Sequence, residues 1–376
     1  MQTYRIAIVG GGLSGLYAAY LLEQQGITNY VLLEARDSLG GRIASASASG
    51  HPAPGMAPAV DDIDRFDLGP TWFWPGFQPQ LDRLVHDLGL ECFGQYEQGD
   101  MVVEHSSSVP PMRRRGFKNL PSSMRLVGGM GALIDVLLSR LDSTRIITGQ
   151  PVRRLRCTDH HVELDSEDAF GHITTWCAEH VLLALPPRLA EDSIEFTPAL
   201  PQALALQWRA TATWMAPHAK YIAIYDSPFW REQGLSGEAR SMLGPLGEIH
   251  DASMPGGSAA LFGFFGMPAR FRKNVPEDEL LPLCRTQFMR MFGPQAATPK
   301  AEIIKDWALD PYTATVADLD GAGHYAEVPA ATVTSGPWSS RLTGIASEWS
   351  RQFPGYVAGA IEAASLGVQA LPKPSS

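Results

Sequence analysis

The sequence predicts an α/β protein of two domains, on three observations. A strand, a glycine-rich turn and a helix follow one another at its start, the hydrophobic period alternates between helix-like and strand-like further on, and 376 residues suffice for two cores. Residues 6–9, Ile-Ala-Ile-Val, are an apolar run of the kind buried on both faces of a parallel sheet. Gly10-Gly11-Gly12-Leu13-Ser14-Gly15 follows without a break and opens a helical stretch over 16–25. Gly10 permits the tight turn, Gly12 lets backbone approach a pyrophosphate, and Gly15 lets helix pack on strand. Leu13 and Ser14 lie at the helix start, where N–H groups and the positive dipole end meet an anion. A second strand over 30–33 ends in Glu34, about 20 residues past the last glycine, a position suited to binding ribose hydroxyls and unsuited to a 2′-phosphate. These features together define a Rossmann-like dinucleotide-binding unit.

The remaining elements follow in order. The Ala/Ser/Gly/Pro-rich stretch after Arg42 up to residue 59 reads as a flexible surface loop. Gly69-Pro70-Thr71-Trp72-Phe73-Trp74-Pro75-Gly76 packs three large aromatics between prolines and reads as a wall, with Trp72, Phe73 and Trp74 as candidate cavity-lining residues. Apolar residues at 81, 84, 85 and 88 predict an amphipathic helix. From there to about 125 the chain reads as irregular, and Arg113-Arg114-Arg115 as a solvated loop. Gly128-Gly129-Met130-Gly131 precedes a helix over 132–141. From residue 145 the period falls to two, which predicts an antiparallel meander through Val152, Leu155, Val162 and Leu164. A buried strand over 181–185 stops at Pro186-Pro187. Strands are predicted over 221–225 and 260–265, and helices over 277–292 and 355–370.

Composition narrows the function classes. A formal charge of −10 disfavours nucleic acid or anionic membrane as the main partner. The four cysteines, Cys92, Cys157, Cys177 and Cys284, are widely spaced with no CxxC pair, so neither a metal site nor a disulfide framework is indicated. His160-His161 falls in a polar turn and reads as solvated. The first strand begins by about residue 4, which leaves no room for a signal peptide, and no apolar run is long enough to span a bilayer. The expectation is a soluble, cytoplasmic protein.

Glu34-Ala35-Arg36-Asp37-Ser38-Leu39-Gly40-Gly41-Arg42 adds glycines and an arginine just past the ribose acid, an extension that a plain NAD-binding unit does not need. This run resembles the amino-terminal signature of the flavin-containing amine oxidase superfamily. The resemblance continues through Gly69-Pro70-Thr71-Trp72, the Gly128–Gly131 turn, the strand ending in Pro186-Pro187, and Phe229-Trp230-Arg231. It closes with Ser347-Glu348-Trp349 and Gly355-Tyr356-Val357-Ala358-Gly359-Ala360, similar to the family's last flavin motif.

The resemblance implies non-covalent FAD. Its contacts are expected from Gly10, Gly12, Leu13, Ser14, Gly15, Glu34, Ala35, Arg36, Gly41 and Arg42, and from Gly69, Pro70, Thr71 and Trp72. Further contacts are expected from Val152, Trp307, Glu348, Gly355, Tyr356 and Val357, with Glu348 on the ribityl chain. Tyr356 and Trp72 are the implied substrate-side catalytic residues, Tyr356 as one wall of an aromatic cage. Three departures stand out. Val316 occupies the place of the cysteine that some relatives bond to flavin, and Ala317 that of a second cage tyrosine. The family's N5 lysine is expected after the 261–265 strand, where Gly266-Met267-Pro268-Ala269 has none; Lys220 reads as a structural strand lysine.

The implied fold is a discontinuous FAD domain from 1–75, 126–197 and 317–376, with a substrate domain from 76–125 and 198–316. The implied activity is oxidation of a small-molecule amine by hydride transfer to flavin, with oxygen or another electron acceptor completing the cycle. Two alternatives stay open at this point. One is a flavin desaturase or dehydrogenase acting on a C–C bond, and the other is a binding protein of the same fold without catalysis.

Overall fold

The computed structural model describes residues 3–50, 52–53, 64–116, 118–320 and 327–372. The apolar N-terminal strand Thr3–Val9 lies inside an eight-stranded sheet, between Tyr30–Leu33 and Ile173–Leu183, parallel to both. Ile6 and Ile8 face a core shared with helices Leu13–Gln24, Gly131–Ser139 and Val357–Gln369, while Ala7 and Val9 face a second core containing Trp208, Trp338 and Trp349. Burial on both faces explains why this strand is continuously apolar. The meander expected from the change of period is present: Val152–Cys157, Val162–Glu167 and Ile173–Leu183 pair antiparallel in succession. This doubly covered sheet is the Rossmann-like unit.

The second sheet has seven strands and is mixed. Its order is Ala301–Asp306, Ala219–Tyr225, Ala259–Phe265, Leu246–Asp251, Leu235–Ser241, Asp100–Glu104 and Met112–Arg115. Only Leu235–Ser241 and Asp100–Glu104 run parallel among these pairs. Helix Glu277–Phe292 lays Cys284, Phe288 and Phe292 on one face, against Tyr221, Tyr225 and Leu261. The other face meets Ala46, Phe66 and Leu68 through Ile222, Ile224, Ala260 and Phe262. Side chains alternating along one strand, Ala219–Tyr225, thus hold a helix on one side and the approach to the Rossmann-like unit on the other.

Several segments differ from expectation. The stretch before residue 125 is not irregular throughout, because Asp100–Glu104 and Met112–Arg115 form the edge hairpin of the second sheet. Arg113, Arg114 and Arg115 are solvated, as read, but on an edge strand; a charged edge resists further strand pairing. Within the predicted loop after Arg42, Ser45–Ser47 pairs with Pro52–Ala53 and with Arg65–Asp67. The rest of that loop, 54–59, lies outside the described residues. No described helix is long and apolar enough to cross a membrane.

Candidate active site

The first glycine turn is fixed by contacts that only glycine allows. Gly10 has φ +109°, and a Cβ on Gly15 would overlap the Gly10 carbonyl oxygen. Glu34, 3% exposed, turns its carboxylate onto this turn: Oε2 accepts from Gly11 N at 2.6 Å and Oε1 from Arg36 N at 2.8 Å. The second glycine pair rests on the first. Gly40 N donates to Gly11 O at 2.9 Å, and Gly12 and Gly40 form a bridge pair. Two segments separated by strand and helix in sequence thereby form one backbone surface.

Helix Leu13–Gln24 begins at Gly12 without a side-chain cap, and helix Val357–Gln369 begins at Tyr356, also without one. Residues at both helix starts line the same cleft, of about 400 Å³. Uncapped N-termini leave N–H groups for an acceptor, and the local dipoles favour an anion. The lining side chains add Arg36, Arg42, Arg153 and Lys220 against a single carboxylate, Glu34. A Cβ on Gly12 would meet nothing nearer than 3.8 Å, so the cradle is open where a diphosphate would lie.

Arg42 joins the two ends of the chain. Its Nη1 and Nη2 meet Glu348 Oε1 and Oε2 at 2.5 and 3.0 Å, and Nη2 also donates to Ser347 Oγ at 3.2 Å. Burial pushes the Glu348 carboxyl up, but the Arg42 charge and hydrogen bonds outweigh it and hold the group below the usual carboxylate range. Arg36 pairs with Asp310 at 2.6 Å and sits over the Tyr312 ring at 5.4 Å.

At the other end of the cleft the walls are aromatic. The Tyr356 ring lies 5.2 Å from Trp214 at 32° and 6.2 Å from Trp74 at 74°. Gly355, at φ +84°, lets the backbone pass Trp214, because a Cβ there would overlap the tryptophan Cβ. Trp72 donates from Nε1 to Gln95 Oε1 at 2.8 Å, and Trp74 from Nε1 to Ser123 Oγ at 3.0 Å. Below them Lys220, 2% exposed, donates to Asp67 O, Gly69 O and Thr71 Oγ1 at 2.8–2.9 Å. Burial pushes the Lys220 ammonium down to about 7, against the attraction of Asp67, and burial pushes Asp67 up to about 6. A second chamber of about 630 Å³ opens beyond this wall and shares Trp72, Trp74, Gln78 and Tyr356 with the cleft.

The structure brings nearly all the expected residues together: Gly10, Gly12, Leu13, Ser14, Glu34, Ala35, Arg36, Gly41, Arg42, Gly69, Pro70, Thr71, Trp72, Val152, Trp307, Gly355, Tyr356 and Val357 line the cleft. Gly15 and Glu348 stand behind its wall, Gly15 packed on the turn and Glu348 committed to Arg42, so Arg42 and not Glu348 faces the cavity. Phe73, 0% exposed, points into the core while its neighbours line the cavity, as alternation in an extended segment requires. Val316, 84% exposed, and Ala317 are surface positions outside the cleft lining. Lys220, read as a structural strand lysine, does tie down residues 67–71, and it also lines the cleft. The signal for the structural role was a lone cation in the apolar run Ala219–Tyr225. Trp214, Tyr312 and Gln78 also line the cleft and lie in no motif.

Away from the cleft, His161, Glu163 and Cys177 bring ligand atoms within 4.8 Å of one another. Arg156 already pairs with Glu163 at 2.9 Å and takes the place a cation would need.

A glycine turn at an uncapped helix start, a buried acid beside it and an aromatic pocket share one cleft, the arrangement of an FAD-dependent oxidoreductase. The chain belongs to the flavin containing amine oxidoreductase family, whose model matches residues 92–371, and an NAD(P)-binding Rossmann-like domain matches 8–88. It is 22% identical to putrescine oxidase of Kocuria rosea, over 85% of this chain and 86% of that one. It is 24% identical to flavin-containing amine oxidase B of Sus scrofa, over 82% and 75% of the two chains. A solved structure of wild-type putrescine oxidase bound to putrescine has the same fold, with a TM-score of 0.78, 19% identity and 98% of both chains covered.

Proposed function

We propose that this chain oxidises the C–N bond of a small-molecule amine to an imine, which water then hydrolyses to a carbonyl compound and ammonia or a smaller amine. The observation that carries the reading is the aromatic wall of Tyr356, Trp214 and Trp74, set at the end of the cleft opposite the Gly12 cradle. FAD, when bound, supplies the two-electron acceptor for the hydride leaving the carbon beside the nitrogen, with oxygen as the final acceptor and peroxide as its product.

The chain's own residues bind, orient and keep out water. Gly12, Glu34, Arg36 and Arg42 would hold the dinucleotide part, and Gly355 to Val357 and Trp307 the ring end. None of the four cysteines lines the cleft, which supports non-covalent binding. An amine reacts in its neutral form, and the tryptophan and tyrosine faces favour that form by withholding solvation from the ammonium. Lys220 fixes the 67–71 segment beside Trp72 through its three hydrogen bonds. The names of the relatives, all acting on amines, support the same reading.

The alternative is C–C desaturation, which a missing second cage tyrosine would favour; Ala317, the position aligned with it, lies outside the cleft lining and leaves that wall to other residues. Trp214 and Trp74 beside Tyr356 weigh against it. Oxygen uptake with stoichiometric peroxide on addition of an amine supports the amine reading. Uptake driven only by a substrate without nitrogen would refute it.

A further inference from the structure

The cleft and the outer chamber meet at a neck bordered by Trp72, Trp74, Gln78 and Tyr356. Three of these are aromatic, and the fourth is a buried amide, 4% exposed. Gln78 stands at the N-cap of helix Pro79–Asp87, yet its side chain does not cap that helix. It turns back instead, and Oε1 accepts from Trp74 N at 3.0 Å. Trp74 O in turn accepts from Phe77 N and Gln78 N, both at 2.9 Å. These bonds close the 74–78 turn and fix the amide within it. They also fix which way the amide points, because a backbone N–H can only donate and so must meet Oε1 rather than Nε2.

The Nε2 group is left over. Among the described residues it has no hydrogen-bond partner, and Gln78 borders open space in both cavities. The other nitrogen donors around the neck are spent: Trp72 Nε1 on Gln95, Trp74 Nε1 on Ser123, and Lys220 on Asp67, Gly69 and Thr71. The Tyr356 hydroxyl can donate or accept and so selects neither, whereas the free end of the Gln78 amide can only donate. A ligand that fills the neck without an acceptor leaves this donor buried and unpaired, which is the costly case.

Resting on the amine reading above, we infer that Gln78 determines specificity: its Nε2 donates to a neutral oxygen acceptor, a hydroxyl, ether or carbonyl, carried on the chain of the substrate amine. The acceptor is not the reacting nitrogen, whose lone pair forms the C=N bond as hydride leaves and is not free for a donor. Nor is it a carboxylate. Glu97, Glu238, Glu248 and Asp251 line the chamber beyond, against Arg240 and His250, and Arg240 is already shared between Glu248 and Glu238. A plain alkyl chain in the neck strands the amide donor; an oxygen at that point of the chain pairs with it.

The test uses pairs of amines that differ by one oxygen in place of one CH2: 2-methoxyethylamine with n-butylamine, and 3-methoxypropylamine with n-pentylamine. Each is offered to the FAD-loaded enzyme, in wild type and in Gln78→Met, which keeps the side-chain length and removes the donor. Apolar transfer alone favours the alkyl member of each pair. The expected wild-type result is the opposite, a kcat/KM for at least one ether amine about tenfold above that of its alkyl partner. In Gln78→Met that preference should fall about tenfold. A readout without turnover, which wild type alone can supply, accompanies it. The preferred ether amine should quench the tryptophan fluorescence of the dithionite-reduced enzyme at a lower concentration than its alkyl partner. Alkyl amines matching or exceeding both ethers in wild type would overturn the assignment while leaving amine oxidation intact. An unchanged ether preference in Gln78→Met, with a shifted flavin band, would give the amide to the cofactor and overturn it as well. Failure of all four amines to reduce a flavin that dithionite reduces would instead overturn the amine reading, and this assignment with it.

Discussion

The two ends of the cleft are built in opposite ways. At the dinucleotide end, contiguous motifs supply a backbone surface: residues 10–15 and 34–42 meet, with Gly12 bridged to Gly40 and Gly40 N donating to Gly11 O. At the proposed amine end the surface is side chains from scattered segments, with Trp72, Trp74, Gln95, Glu97 and Tyr356 converging from loops and a helix start, and Glu248 from the second sheet. Backbone N–H groups recognise a phosphate whatever the neighbouring side chains are, so the first end tolerates little conformational change and reads clearly in sequence. The second end is free to vary by side chain and sets which amine enters.

The largest effects should fall at the first end. Arg42→Ala strips the partner from a buried carboxylate, Glu348, at a cost of about 3–5 kcal/mol, seen as a large drop in Tm together with loss of yellow colour on purification. Arg42→Lys, which cannot pair in fork geometry, should fall between it and wild type. Next comes Gly15→Ala, where the added methyl overlaps the Gly10 carbonyl. Displacement of the turn should cost about 1–3 kcal/mol and lower the flavin-to-protein absorbance ratio. Glu34→Ala removes the acceptor of Gly11 N and Arg36 N, and should weaken FAD retention by about 1–3 kcal/mol, measured by titrating the apoprotein. Unchanged retention would remove Glu34 from the ribose site.

At the second end the pattern should reverse. Tyr356→Ala and Trp74→Ala should slow anaerobic flavin reduction about tenfold or more while changing FAD affinity little, if their rings form the proposed amine wall. The smallest effect is pH-dependent. Lys220 binds its proton less tightly in the folded chain than in the unfolded one, whose lysine titrates near 10.4. From about pH 7 to 10 the unfolded state therefore holds more protons, and this group's contribution to stability rises with pH. Lys220→Met should flatten that rise in urea-melt midpoints across the window. An identical slope in both proteins would contradict the depressed pKa.

The same contrast explains what the sequence made legible. Helix 277–292 was read to its ends because its apolar spacing is that of one buried face, and the 6–9 strand because it is buried on both. The hairpin of Asp100–Glu104 and Met112–Arg115 was missed: the outer strand, exposed and carrying Arg113, Arg114 and Arg115, has no apolar alternation, and the inner one offers only the short buried run Met101-Val102-Val103. In the site, glycine turns announce themselves by composition, whereas Trp214 comes to the cleft beside Tyr356 from far away in sequence and in no motif. Lys220 was read as a structural lysine, which its three hydrogen bonds support, but its place on the cleft lining had no signal in the sequence.

The central claim is that the aromatic end of the cleft presents an amine to bound flavin. The most direct measurement is anaerobic mixing of the purified flavoprotein with a panel of amines while following the visible flavin band. Rapid bleaching by at least one amine class, slowed in Tyr356→Ala, is the predicted result. A band that dithionite bleaches and no amine touches would contradict the account.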